Sequence, residues 1–492
     1  MSSAESGPGL RERGAVLIGR AAAEAVRRLR RGGGTALPGL IAGAIAPGLI
    51  EAFASQLGHG VVTVTGTNGK TTTAHLIAAA ARVAGHRPLT NHSGSNLERG
   101  IASTFVEAAT AGGALPDAAD RLGVFELDEA VWPLVAPRLH PRAAVFLNLF
   151  RDQLDRYGEV DSIAEGWRRA LVRYREPLTL VLNVDDPSVA QIAEETGHEV
   201  IGFGVDDPSV ALPGAEHASD ARFCLCGGTF RYEAVFMGHV GVWRCARCDR
   251  ARPTPRVSAR RVRLGADETR FELCVGASGG VARAVEVTIP LAGLYSVYNA
   301  LAAAAGAHAM GIPLEATARA LSEAGPAFGR QERFSIEGRT VRLLLAKNPT
   351  GLNEVLRVLT AAASGGERAQ PLVLLALLND AIQDGHDVSW IYDADLEQLA
   401  GAPCTLFVAG DRADDLALRC VLAGVEPARI DRSASRMLDA ALAATPFGGR
   451  LEVVATYTAM LEVRAELARR TGTRPYWEEQ PQAGAPPQEE QR

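Results

Sequence analysis

From about Gly60 to Gly202, short β-branched runs alternate with longer amphipathic ones, the pattern of parallel strands joined by helical crossovers. Val61–Val64, Gly123–Leu127, Ala143–Leu149 and Leu178–Leu182 read as strands, and Thr71–Val83 reads as a helix. Strand-like alternation resumes at Val257–Val275 and Val285–Ile289, and an Ala-rich helix follows from about Val297 to Met310. Gly325-Pro326 marks a linker. Beyond it a second βα series begins, with strands expected at Val341–Leu345, Leu372–Leu378, Thr405–Ala409 and Leu451–Val454.

The pattern predicts an α/β protein with a central parallel-sheet domain over 56–325 and a second α/β domain over 326–477. Residues 1–55 form an N-terminal segment packing on the central domain, and 216–256 a small inserted module. The end, 478–492, is Glu, Gln, Pro and Gly with almost nothing to bury, so disorder is expected there. A length of 492 residues fits about three domains, and no internal repeat is present.

A net charge of −6 supplies no field to attract a polyanion, which argues against nucleic acid as a partner. Met1–Arg13 is polar, with no apolar core of a secretory signal. Ala36–Ile50 is apolar but short and broken by Pro38, Gly39, Gly43, Pro47 and Gly48, so it does not span a bilayer. A cytoplasmic protein is expected. Arg27, Arg28, Arg30 and Arg31 precede Gly32-Gly33-Gly34 and read as cations at a helix end, with lipid head groups or a pyrophosphate as the other reading.

The sharpest chemical signal is Val61-Val62-Thr63-Val64-Thr65-Gly66-Thr67-Asn68-Gly69-Lys70-Thr71-Thr72, a strand that turns through glycines into a helix. Gly66 and Gly69 let successive backbone N–H groups and the helix N-terminus converge on one anion. Lys70 supplies a cation for nucleotide phosphates, and the Thr71 hydroxyl suits Mg2+. The usual spacing of such loops would need glycine at position 64, where this chain has Val64, so the loop is a shortened variant. Glu126, at the end of the strand before Leu127-Asp128-Glu129, is the carboxylate expected to complete the Mg2+ site. Asn183-Val184-Asp185-Asp186-Pro187 ends another strand and reads equally as turn chemistry.

Four of the seven cysteines, Cys224, Cys226, Cys245 and Cys248, fall within 25 residues. In a cytoplasmic chain such a cluster favours metal over disulfides, and four thiolates leave no open position, so a structural Zn2+ is expected. Cys224-Leu225-Cys226 is one residue tighter than the usual pair. Cys404 and Cys420 stand in no glycine-flanked nucleophile turn, so the chain shows no glutaminase signature of its own.

The loop resembles that of the Mur ligase superfamily, and three further segments match in order. These are Asp152-Gln153-Leu154-Asp155-Arg156-Tyr157-Gly158, Asn183 to Pro187, and Gly293 to Ala303, where Ser296 replaces one asparagine and Asn299 keeps the other. A closer resemblance is to the MurT branch, the subunit of lipid II isoglutaminyl synthase. Its signatures stand at Gly33 to Gly39, Gly94 to Ile101, Ala346-Lys347-Asn348-Pro349-Thr350-Gly351, Asp384-Gly385-His386-Asp387-Val388-Ser389-Trp390 and Thr456 to Leu461.

That resemblance implies a Mur-ligase-type central ATPase domain with an inserted zinc ribbon. It implies ATP bound by Gly66, Thr67, Asn68, Gly69, Lys70, Thr71, Thr72, Asn299 and Arg330, with Lys70 and Glu126 serving catalysis. The reaction implied is amidation of the α-carboxylate of D-glutamate in the lipid II stem peptide. The ammonia comes from a glutaminase partner of the GatD type in a heterodimer, with the substrate at the inner membrane face. Asp384 or Asp387, with Asp380 nearby, is expected to orient a partner histidine or guide ammonia, against the alternative of a loop carboxylate capping a helix. Amino-acid-adding ligases often carry a carbamoylated lysine where this chain has Trp167, and their Asp-Tyr-Ala-His-Asn-Pro becomes Leu344 to Pro349. Two rivals remain: an amino-acid-adding or folylpolyglutamate-type ligase, and a non-catalytic nucleotide- and zinc-binding scaffold.

Overall fold

The computed structural model describes residues 9–28, 36–91, 95–151, 160–214, 220–276, 282–363 and 371–473. The Asp152 to Gly158 segment, the start of the Gly33 segment, Gly94, Arg30, Arg31 and the 478–492 tail lie outside the described residues, as do the side chains of Arg27 and Arg28.

Six strands form the parallel part of the central sheet: β1 (Val61–Thr65), β2 (Arg87–Thr90), β3 (Arg121–Glu126), β4 (Ala143–Phe146), β5 (Thr179–Asn183) and β6 (Glu199–Val205). After a separate hairpin, β7 (Phe230–Met237) and β8 (Val240–Cys245), come β9 (Val257–Leu264), β10 (Thr269–Val275) and β11 (Arg283–Ile289). Among the described residues the sheet has the order β11-β10-β9-β6-β5-β4-β1-β3-β2. The run read as continuous alternation from Val257 to Val275 is thus two antiparallel strands joined by a turn, and they extend the parallel set as a mixed sheet.

Inner strands are buried on both faces, and the side-chain period of two divides the core. Val62, Val64 and Val124 face a core shared with helices Lys70–Val83 and Leu294–Ala309. Val61, Phe125 and Ala144 face a second core with Trp132, Trp167 and Leu171. The N-terminal helices α1 (Leu10–Arg28) and α2 (Leu37–Ile45) belong to this second layer and pack near helix Glu98–Ala108. The Gly39 N–H donates to Ser103 Oγ at 2.8 Å, and a Cβ at Gly39 would lie 1.9 Å from the Arg99 carbonyl oxygen, so the helices touch only because that side chain is absent.

The C-terminal sheet runs β12 (Arg330–Ile336), β13 (Arg339–Leu345), β17 (Arg450–Ala455), β14 (Leu372–Leu377), β15 (Cys404–Ala409), β16 (Arg429–Ile430). All pairs are parallel except the β12–β13 hairpin. Strands β2, β6, β7, β8, β12 and β16 are additions to the expected set.

Candidate functional site

Strand β1 lies between β3 and β4, so its carboxyl end opens into a crevice where strand order reverses, the place where α/β sheets bind ligands. There the chain turns through Gly66 (φ +135°) and Gly69 (φ +92°) into helix Lys70–Val83. Both glycines are required. A Cβ at Gly69 would fall 2.1 Å from Asn299 Oδ1, and one at Gly66 would press on Leu147 and the Asn148 backbone. Asn299, on the Ala-rich helix, therefore lies against the loop.

Asn148, just past β4, holds the turn open. The Asn68 N–H donates to Asn148 Oδ1 at 2.8 Å, Asn148 Nδ2 donates to the Asn68 carbonyl at 3.1 Å, and the Thr67 N–H donates to the Asn148 carbonyl at 2.9 Å. The Thr67 hydroxyl donates to the Phe150 carbonyl and accepts from the Phe150 N–H. Nothing in the loop pattern points to Asn148, although a lone amide inside the apolar run Ala143–Leu149 was a signal available in the sequence.

Lys70 folds back over its own loop, donating to the Gly66 carbonyl at 2.6 Å and pairing with Glu129 at 2.9 Å. The pair is nearly buried, with side-chain exposures of 10% and 8%. Glu129 is held by Trp167, whose indole N–H donates to the Glu129 carbonyl at 2.8 Å and whose ring meets Phe146 edge-on at 4.9 Å. Trp167 is therefore a core residue that fixes the partner of Lys70.

Glu126 is 4% exposed at the tip of β3, its backbone clamped by both ends of the Asn91 amide. Its carboxylate accepts no hydrogen bond among the described residues. Asp128 is committed to its own turn, accepting from the Ala130 N–H. Thr71 and Thr72 follow Lys70 in the first turn of the helix. Arg330 opens β12, next to Gln331, whose side chain bonds the Ala292 backbone and the Tyr295 hydroxyl.

The C-terminal domain reaches this loop directly. Buried Asn348 donates through Nδ2 to Asn68 Oδ1 at 3.0 Å, and Asn68 Nδ2 donates back to Asn348 Oδ1 at 3.3 Å. Lys347 adjoins that amide pair.

Asp384 is 3% exposed and accepts from the Thr458 N–H at 2.9 Å and from the Thr458 hydroxyl, at the start of helix Tyr457–Thr471. Burial pushes its carboxyl above the ordinary value against the pull of those bonds. Asp387 is exposed and held low by the Ser389 hydroxyl and N–H, and Asp380 pairs with Arg412 at 3.1 Å. The three aspartates thus share a segment but not a cluster.

The insertion is tied down by the Asn183 to Pro187 turn. Asp185 is fully buried, pairs with Arg252 at 2.6 Å, and accepts from the Val205 N–H and the Tyr298 hydroxyl; Trp243 donates to the Val184 carbonyl. The four thiols converge, with Cys224 and Cys248 sulfurs 3.8 Å apart, Cys226 and Cys245 sulfurs 3.5 Å apart, and all ligand atoms within 4.8 Å. Hydrogen bonding from the Arg247 N–H pulls the Cys245 thiol down to about 6, while burial pushes Cys224 up to about 12. Both members of the tight Cys224-x-Cys226 pair lie within this cluster.

Residues 64–242 match the Mur ligase middle domain, and residues 345–460 match the MurT ligase C-terminal family. The chain is 31% identical over 457 residues to the lipid II isoglutaminyl synthase (glutamine-hydrolyzing) subunit MurT of Streptococcus pneumoniae, covering 92% of this chain and 96% of that protein. The corresponding Staphylococcus aureus subunit is 29% identical over 449 residues, covering 89% and 93%. Among solved structures, a pseudomurein peptide ligase type C from Methanothermus fervidus superposes with a TM-score of 0.62 at 20% identity, covering 86% of this chain and 81% of that one, a likeness of fold.

Proposed function

The chain belongs to the MurT family of the Mur ligases, and from that membership we propose that it is the synthetase subunit of a glutamine-dependent amidotransferase acting on lipid II. ATP activates the α-carboxylate of D-glutamate in the stem peptide, and ammonia converts it to the amide. The observation that carries this reading is the joining of the two family-matched halves at one point, where Asn348 of the C-terminal domain clasps Asn68 of the phosphate loop.

A carboxylate oxygen attacks the terminal phosphorus, ADP leaves, and the acyl phosphate then loses phosphate to ammonia, which gives up a proton as the C–N bond forms. Phosphoryl transfer needs positioning and charge neutralisation. The Gly66 to Thr72 turn offers N–H groups and a helix N-terminus to the phosphates, and Lys70 exchanges Glu129 for them. Asn299 and Arg330 complete the nucleotide site. Glu126 and Thr71 fit Mg2+, since the buried Glu126 carboxylate accepts no hydrogen bond among the described residues; the ion would neutralise phosphate charge.

Ammonia is largely protonated near neutral pH, so a glutaminase subunit of the GatD type is proposed to release it beside the site. Ile382 and Tyr392, 74% and 51% exposed, flank Asp384 and support a partner on this segment. Asp384 is proposed to orient a partner histidine or guide the ammonia, with Asp387 as second candidate. In the Asp384→Asn variant glutamine-driven amidation should fall at least tenfold on the scale of a lost catalytic hydrogen bond, while amidation driven by ammonium salt persists. An equal loss of both rates would leave Asp384 only its helix cap.

The direct test incubates the chain with its glutaminase, glutamine, ATP and lipid II. A product about one dalton lighter is expected, the change from carboxyl to amide, and unchanged lipid II would refute the reading.

The thiol cluster fits a structural Zn2+. A tetrahedral site with Zn–S bonds of about 2.3 Å has sulfurs about 3.8 Å apart, close to the spacings found. Zinc would brace the insertion and leave no position for substrate. Elemental analysis should find one zinc per chain, and Cys248→Ser should lose it and lower the melting temperature.

A further inference from the structure

The N-terminal layer exposes a surface that neither the nucleotide site nor the thiol cluster uses. Helix α1 buries Ala15, Val16 and Gly19 against its neighbours. On the opposite side Leu10, Leu17, Ile18 and Ala21 recur at helical spacing and face solvent, with Leu10 88% exposed and both Leu17 and Ile18 51% exposed. Helix α2, packed beside it, contains no polar side chain and presents Leu37 and Leu40, the latter 55% exposed. Single exposed leucines are ordinary; two adjacent helices that both turn apolar faces outward are not.

Charge identifies what covers them. Residues 10–31 contain seven arginines against two glutamates, in a chain whose net charge is −6. Arg11 and Arg20 flank the apolar stripe and donate to the Ile45 and Ala109 carbonyls, neutral acceptors that leave the positive charge in place. An apolar strip bordered by arginines is the composition of a helix lying in the plane of an anionic bilayer surface. A second copy of this chain would bring two cationic segments together, which electrostatics opposes. No helix of the described residues is long and apolar enough to cross a membrane, in keeping with a surface contact.

We infer that the exposed face of α1 and α2 docks on an anionic lipid surface, entering it with Leu10, Leu17, Ile18, Leu37 and Leu40 while Arg11 and Arg20 beside the stripe meet the head groups. The inference rests on the proposed lipid-linked substrate only for why a membrane would be near. Docking would hold the synthetase where that substrate lies.

The test sediments the full chain, in complex with its glutaminase, with vesicles of equal phosphatidylglycerol and phosphatidylcholine or of phosphatidylcholine alone, without nucleotide or substrate. Binding is expected to the anionic vesicles, weakened by salt. A Leu17→Glu/Leu40→Glu variant should bind at least about tenfold more weakly, with unchanged melting temperature and unchanged amidation of a stem-peptide substrate lacking the lipid tail. Wild-type protein that ignores anionic vesicles, or a variant that binds them equally, would overturn the proposal. So would a variant that halves the solution mass or releases the glutaminase, since the face would then be a protein interface. Vesicle binding is read without catalysis, so its failure is distinct from failure of the amidation reading.

Discussion

Replacing Lys70 with methionine should abolish measurable amidation, a loss of about 10²–10³-fold or more on the scale of removing one preorganised electrostatic group. The structure adds a second consequence. Glu129, with its side chain 8% exposed, would lose the cation that balances it, and breaking a buried pair by removing one partner costs about 3–5 kcal/mol. A drop in activity could therefore be blamed on unfolding, and a double variant separates the two. Lys70→Met/Glu129→Gln should recover most of the lost stability in a thermal melt but none of the amidation. Recovery of activity in the double variant would mean that Lys70 serves the fold and that phosphates are held by the N–H cradle alone. Lys70→Arg is an informative control. Of the 51 lysines and arginines only Lys70 and Lys347 are lysines. A planar guanidinium does not fit the space against Gly66 that a compact ammonium fills, and the arginine variant should stay inactive.

The loop was legible because all its parts are adjacent in sequence: an apolar strand, two glycines at positive φ, a lysine and a helix. The thiol cluster was legible from spacing, and the tight Cys224-x-Cys226 pair closes because the Cys224 N–H bonds the Gly228 carbonyl in a local turn. Groups that act on the loop from afar were not legible. Asn148 bonds Asn68 from 80 positions away and Asn348 from 280, and no local pattern carries that register. The salt bridge from Lys70 to Glu129 was hidden for the same reason: the two stand 59 positions apart, and Trp167, which pins the Glu129 backbone, is further still along the chain. Strand β12, Arg-Gln-Glu-Arg-Phe-Ser-Ile, escaped notice because its charged residues dilute the alternation that buries Gln331, Phe334 and Ile336. The antiparallel β9–β10 pair was read as one run since its turn, Gly265-Ala266-Asp267-Glu268, interrupts the apolar alternation only briefly.

The Asn183 to Pro187 turn, equally readable as a loop, has become the joint between three elements, and it makes the strongest prediction about stability. Arg252 enters from the insertion, Tyr298 from the Ala-rich helix and the Val205 N–H from β6, and all meet the fully buried Asp185. Burial pushes the Asp185 carboxyl above its ordinary value, with Arg252 the main opposing influence. Removing that influence in Arg252→Met should raise it further and cost about 3–5 kcal/mol. In a domain of this size that lowers the melting temperature by on the order of 10 °C. The sign of the pH dependence follows from linkage. A carboxyl whose pKa is raised on folding contributes stability at low pH and loses it as pH rises through the folded value, so the variant should fall further behind the wild type as pH is raised above the ordinary carboxylate range. Asp185→Asn on the Arg252→Met background removes the ionisable group and should flatten that difference. A deficit independent of pH, or one that the second substitution leaves unchanged, would mean that Arg252 holds the insertion by packing and that the buried charge pair does not organise this joint.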